Sequence, residues 1–136
     1  MREVVVGIDG STPSWRALSM AVGIGTRYQA RVNACFVWHT PAPVEAAIFA
    51  APVVPVFEED DADELALQVK HELEGAGVEG EFFCLTGEVA QELEQLAEGR
   101  RADLIVVGRS RHAALHLGGV PRKLLAMGRR PVLVVP

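Results

Sequence analysis

Three stretches of this chain, "EVVVGI" (3–8), "LIVVG" (104–108) and "PVLVVP" (131–136), are almost unbroken runs of Val, Ile and Leu. A strand with one wet face alternates apolar and polar residues. A continuous apolar run instead marks a strand covered on both faces, as in a parallel sheet held between layers of helices. Two further runs, "RVNACFVW" (31–38) and "GEFFCLT" (80–86), are more mixed and read as less central strands. Helical patterns separate all five. The order β-α-β-α-β-α-β-α-β predicts an α/β fold with a doubly wound parallel sheet and helices on both faces.

The helices follow from the apolar spacing. In "SWRALSMAVGIGTRY", Trp15, Leu18, Ala21 and Val22 share a face, and the "GIG" inside it (23–25) reads as helix packing. Leu65, Val69, Leu73 and Ala76 do the same in "DELALQVKHELEGAG", as do Val89, Leu93, Leu96 and Ala97 in "EVAQELEQLAEG". The last, "GGVPRKLLAMG", is short, with Val120, Leu124 and Met127 facing in. Pro121 suits its first turn and Gly128 its end. Residues 39–57, "HTPAPVEAAIFAAPVVPVF", carry four prolines and no helical period. This segment is expected to be mobile or to cover a ligand crevice.

The 136 residues fit one domain, 1–136, and about half are apolar (49%), enough for a core. The net charge of −5 argues against general nucleic-acid binding. The charge is uneven, however. "EEDDADE" (58–64) is acidic, whereas Arg100, Arg101, Arg109, Arg111, Arg122, Lys123, Arg129 and Arg130 make the last third basic, as a local anion site or as solvated helix surface. No apolar run is long enough for a membrane span, and the start is too short in apolar residues for a signal peptide, so a cytoplasmic protein is expected. Cys35 and Cys84 are far apart and read as buried, reduced thiols.

In open α/β sheets, ligands bind outside the carboxyl ends of the strands, where the strand order reverses. If strands one and four are neighbours, "GIDGS" and "VVGRSR" meet at that point. Asp9 then stands opposite the turn from Gly108 to Gly119. Glycine lets backbone N–H groups approach an anion, and a helix start adds donors and partial positive charge. Asp9 would accept a hydrogen bond from a ribose hydroxyl, or else simply shape the turn and cap the first helix. The strand–GxGxxG and GxxxxGK[ST] signatures are missing. The acid and lysine expected of a receiver domain are missing too, and "DGSTPS" is only a faint flavodoxin-like match. His112 and His116 lack a third ligand and read as exposed loop histidines, so no metal is expected.

At "VVVGIDGSTPSWRALSMA", "TGEVAQELEQLAEGRRADLIVVG" and "GGVPRKLLAMGRRPVLVVP" the chain resembles the universal stress proteins, over essentially its whole length. The resemblance implies the strand order 3-2-1-4-5, dimers, a role in stress response and, in many members, ATP binding. The nucleotide-binding members carry Gly, two residues, Gly, nine residues, Gly, then Ser or Thr. Here Gly108 matches the first glycine, but Arg111 replaces the second, six residues instead of nine lead to Gly118, and Gly119 replaces the hydroxyl residue. Arg111 cannot freely take positive φ, the short loop offers fewer N–H groups, and Gly119 has no side-chain donor. Arg109, Arg111, His112, Arg122 and Lys123 supply positive charge in compensation.

The candidate nucleotide site is therefore Asp9, Ser11, Val37, Gly108, Arg109, Arg111, Gly118 and Gly119, with ATP or ADP as its possible cofactor. Two functions stay open. One is a non-catalytic dimeric stress-response protein with weak or absent ATP binding, acting through contacts with an unknown protein partner. The other is an adenine-nucleotide sensor of stress or energy state. No general base or carboxylate pair is apparent beside the loop, so an ATP-hydrolysing enzyme is disfavoured. In the implied strand order the last strand (Pro131, Val132, Leu133, Val134, Val135) is an uncharged edge, and a homodimer is expected to form through it.

Overall fold

The structure is a computed structural model that describes residues 1–39, 59–109 and 119–136. Its elements are β1 (Glu3–Gly7), α1 (Thr12–Tyr28), β2 (Arg31–His39), α2 (Glu59–Ala76), β3 (Gly80–Gly87), α3 (Val89–Arg100), β4 (Leu104–Gly108), α4 (Val120–Met127) and β5 (Val132–Val135). The strands form one parallel sheet in the order β3-β2-β1-β4-β5. The expected fold class and order are both borne out. Except for His39, which ends β2, the 39–57 segment lies outside the described residues.

The strand periodicity builds two cores. Val4, Val6, Ile8, Val32, Ala34 and Val106 face α1 and α2. Val5, Cys35, Val37, Ile105 and Val107 face α3 and α4. Both faces of β1 are sealed, which is why "VVV" need not alternate. Gly25 sits where a Cβ would lie 2.8 Å from Val78 Cγ1, so close packing explains this glycine of α1, as expected.

Several expectations need correcting. β2, read as less central, is internal, and its residues from Val32 to Val37 are buried. β5 is an edge strand, as the strand order 3-2-1-4-5 implied, but its nearly continuous run is not covered on both faces, and Val134 is 38% exposed. Met127 does not face in but is 37% exposed, and Ala76 is exposed at the end of α2. α2 also starts earlier than its apolar stripe, at Glu59. Acidic residues in a first turn favour the helix dipole, so the acidic block extends the helix. Cys84 is exposed rather than buried.

Much of the basic last third is committed to structure. Arg130 Nε lies 2.7 Å from Glu94 Oε1, a carboxylate whose side chain is 4% exposed, and Arg130 Nη2 lies 2.7 Å from Glu98 Oε2. Its Nη1 donates to the carbonyls of Ala102 (2.8 Å) and Ala97 (3.3 Å). Arg130 thus ties the end of α3 to the turn before β5. Arg100 pairs with Glu81 at 2.9 Å and stacks over the Phe83 ring.

Candidate nucleotide site

β1 is flanked by β2 on one side and β4 on the other, so the chain reverses its winding at the β1–β4 seam. A cavity of about 240 Å³ opens at the carboxyl end of that seam. Its polar rim is Asp9, Ser11, Ser14 and Arg109, and its apolar wall includes Cys35, Val37, Val89 and Leu93. Val120 and Pro121, the first residues of α4, close one side. The sheet edge and three helix starts therefore converge here, as the topology requires.

The Asp9–Ser14 turn is rigid. Gly10 has φ +79°, which bends the chain directly after Asp9. The Ser11 N–H donates to Asp9 Oδ1 at 2.8 Å. Ser11 is the N-cap of α1, its hydroxyl accepting the Ser14 N–H at 3.3 Å. The Ser14 hydroxyl donates to the Ser11 carbonyl at 2.9 Å and accepts the Asp9 N–H at 3.3 Å. Asp9 shapes this turn, as its turn reading expected, and also lines the cavity.

Gly108 has a packing reason of its own. A Cβ on Gly108 would lie 2.5 Å from the Pro13 carbonyl carbon and 2.7 Å from Ser14 N. The end of β4 thus presses directly on the first turn of α1, and this contact is reason enough for glycine. Gly119 is the N-cap of α4 at φ −59° and makes no side-chain capping bond. Pro121 removes one N–H from the same helix start. The expected site residues Asp9, Ser11, Val37, Gly108 and Arg109 are thus brought together, with Gly119 adjoining them through Val120. Arg111 and Gly118 lie outside the described residues, as do His112 and His116.

Lys123, counted above as charge for an anion, already has a partner. Its Nζ lies 3.0 Å from Glu88 Oε1. Glu88 is the N-cap of α3, and its other oxygen accepts the Gln91 N–H at 2.8 Å. Burial pushes the Glu88 carboxyl up, but the Gln91 N–H and the Lys123 ammonium outweigh it and hold the group below the usual range. At the cavity wall, burial pushes the Cys35 thiol up to about 12, helped by Cys84 and Glu92, so Cys35 is a neutral apolar lining group. Ser14, Cys35, Leu93 and Glu88 were not found from the sequence. Only Ser14 carried a visible signal, its place three residues after a capping serine.

All of residues 1–136 match the universal stress protein family. The chain belongs to that family. A universal stress protein of Methanocaldococcus jannaschii is 30% identical over 98% of this chain and 81% of its own length. One from Bacillus subtilis is 31% identical over 98% of this chain and 97% of its own. Among solved structures, a universal stress protein in complex with cAMP superposes with TM-score 0.76, at 24% identity over 99% of this chain and 97% of that one. A family protein from Arabidopsis thaliana with AMP bound gives 0.72, at 17% identity over 99% and 91%. Those likenesses show a shared fold. No helix among the described residues is long and apolar enough to cross a membrane.

Proposed function

We propose that this family member is a non-catalytic, dimeric stress-response protein of the cytoplasm, with weak or absent ATP binding, acting through protein contacts. The observation that carries this reading is that, among the described residues, the start of α4 has no side-chain cap. Its cap is a glycine with no side-chain bond, and Pro121 lacks an N–H. Lys123 is engaged by Glu88, and the loop before α4 is three residues shorter than the family's nucleotide-binding form. A triphosphate needs many donors there. The cavity lined by the described residues, at about 240 Å³, is also smaller than the roughly 300 Å³ at which ligand pockets usually begin.

A second reading, the adenine-nucleotide sensor, is favoured by the hydrogen-bonded Asp9–Ser14 turn and Arg109, which line the same cavity. The relatives bound to cAMP and AMP support an adenine mononucleotide as the better fit. Calorimetric titration with AMP, cAMP, ADP and ATP, with and without Mg²⁺, separates the readings. Weak ATP binding with no preference over ADP is expected. Micromolar ATP binding that is lost in Asp9→Ala establishes the ATP/ADP sensor instead. The dimer is proposed through β5, which is paired on one side only and exposes Val134. A stable monomer in sedimentation at tens of micromolar overturns it.

A further inference from the structure

Glu88 is an unusual choice for the cap of α3. Capping alone favours Asp, Asn, Ser or Thr, whose short side chains reach the N–H groups of the first turn. The longer Glu88 caps with one oxygen and reaches Lys123 of α4 with the other, at 3.0 Å. The pair therefore bridges two helix starts, and both starts line the cavity: Val89 follows Glu88, and Val120 and Pro121 open α4. Lys123 stands three residues after Val120. A helical side chain leans back toward the N-terminus over residues three and four before it. Released from Glu88, the Lys123 ammonium can swing toward the start of α4.

We propose that the Glu88–Lys123 pair is an affinity gate: while Glu88 holds Lys123, the ammonium is withheld from a phosphate at the start of α4. This rests on the reading that an adenine mononucleotide occupies the cavity. The pair is part-exposed, with side chains 36% (Glu88) and 45% (Lys123) open to solvent, so it can exchange partners without uncovering a buried charge. A phosphate dianion and the Glu88 carboxylate compete for one cation.

The test is calorimetric titration of AMP into the full chain and into four variants, at low and high salt. Glu88→Gln keeps an oxygen for the Gln91 N–H but loses the charge that holds Lys123. It should bind AMP about fivefold tighter, the upper worth of an exposed ion pair, with the gain shrinking as salt rises. The gain should vanish when Glu88→Gln is made in a Lys123→Gln background. Glu88→Asp caps α3 at least as well and shortens the reach to Lys123, so it reads the same release in a protein whose fold is secure. It should also bind tighter than the original chain. Unchanged AMP affinity in both Glu88 variants overturns the gate and leaves the nucleotide reading standing. A gain that persists without Lys123 likewise overturns it. If neither the original chain nor any variant binds AMP, the nucleotide reading falls, and the gate with it.

Discussion

Replacing Gly108 by alanine tests why that glycine is there. The added Cβ would lie 2.5 Å from Pro13 C, 2.7 Å from Pro13 O and 2.7 Å from Ser14 N. All three are backbone atoms, so no side chain can rotate away. To reach ordinary contact near 3.4 Å, the first turn of α1 must retreat from β4 by most of an ångström. That turn is fixed by the Ser11 cap and by the packing of Ala17, Leu18 and Ala21 against Val4, Val6 and Val106. Gly108 is not among the glycines at positive φ, so backbone strain adds nothing.

Overpacking a close-packed contact costs about 1–3 kcal/mol. The rigid opponents put Gly108→Ala toward the upper end, about 2–3 kcal/mol, or a fall in Tm of roughly 8 °C for a domain of this size. Urea unfolding followed by tryptophan fluorescence reads the loss. Gly99→Ala is the internal control. Gly99 lies inside α3, and nothing stands within 4 Å of its added Cβ. Helix propensity then predicts a gain of about 0.5–1 kcal/mol. If Gly108→Ala costs less than about 0.5 kcal/mol, the ordinary range for surface changes, the steric argument is wrong. The glycine would then have to be explained by ligand approach, and its replacement should weaken nucleotide binding without weakening the fold.

Three further outcomes follow from charges and thiols. Arg130→Ala leaves the Glu94 carboxylate buried without its partner, and should cost about 3 kcal/mol in urea unfolding, against less than about 1 kcal/mol for Glu98→Ala on the exposed arm of the cluster. The Asp103 carboxyl is held below its ordinary value by the Arg2 and Glu3 N–H groups, against a small opposing push from burial. A depressed folded-state pKa gives stability that is present above the unfolded value of 3.8 and lost as pH falls through the folded one, so Asp103→Asn should flatten the acid limb of stability below about pH 4, and an unchanged limb refutes it. A disulfide reagent at pH 8 should modify the exposed Cys84 quickly and the buried Cys35 only in urea; equal native rates would contradict the burial of Cys35.

What the sequence made legible, and what it hid, divides along a physical line. Properties set by one residue and its near neighbours were readable: the sealed strand β1, the stripe Val89–Leu93–Ala97, the Pro121 start and Gly128 end of α4. Properties set by a partner far along the chain were not. An apolar run such as "VLVV" looks the same at a sheet centre and at an edge, so the edge position of β5 was legible only through the family resemblance and not from the run itself. At Gly108 the sequence suggested only anion approach, because the α1 turn it presses on comes from the other end of the chain. The same limit governs the site. Counting Lys123 as free charge required not knowing that Glu88, 35 residues earlier, caps one helix and reaches the next. The charge on offer at the start of α4 is therefore set by an intramolecular carboxylate, through geometry that a charge count cannot see.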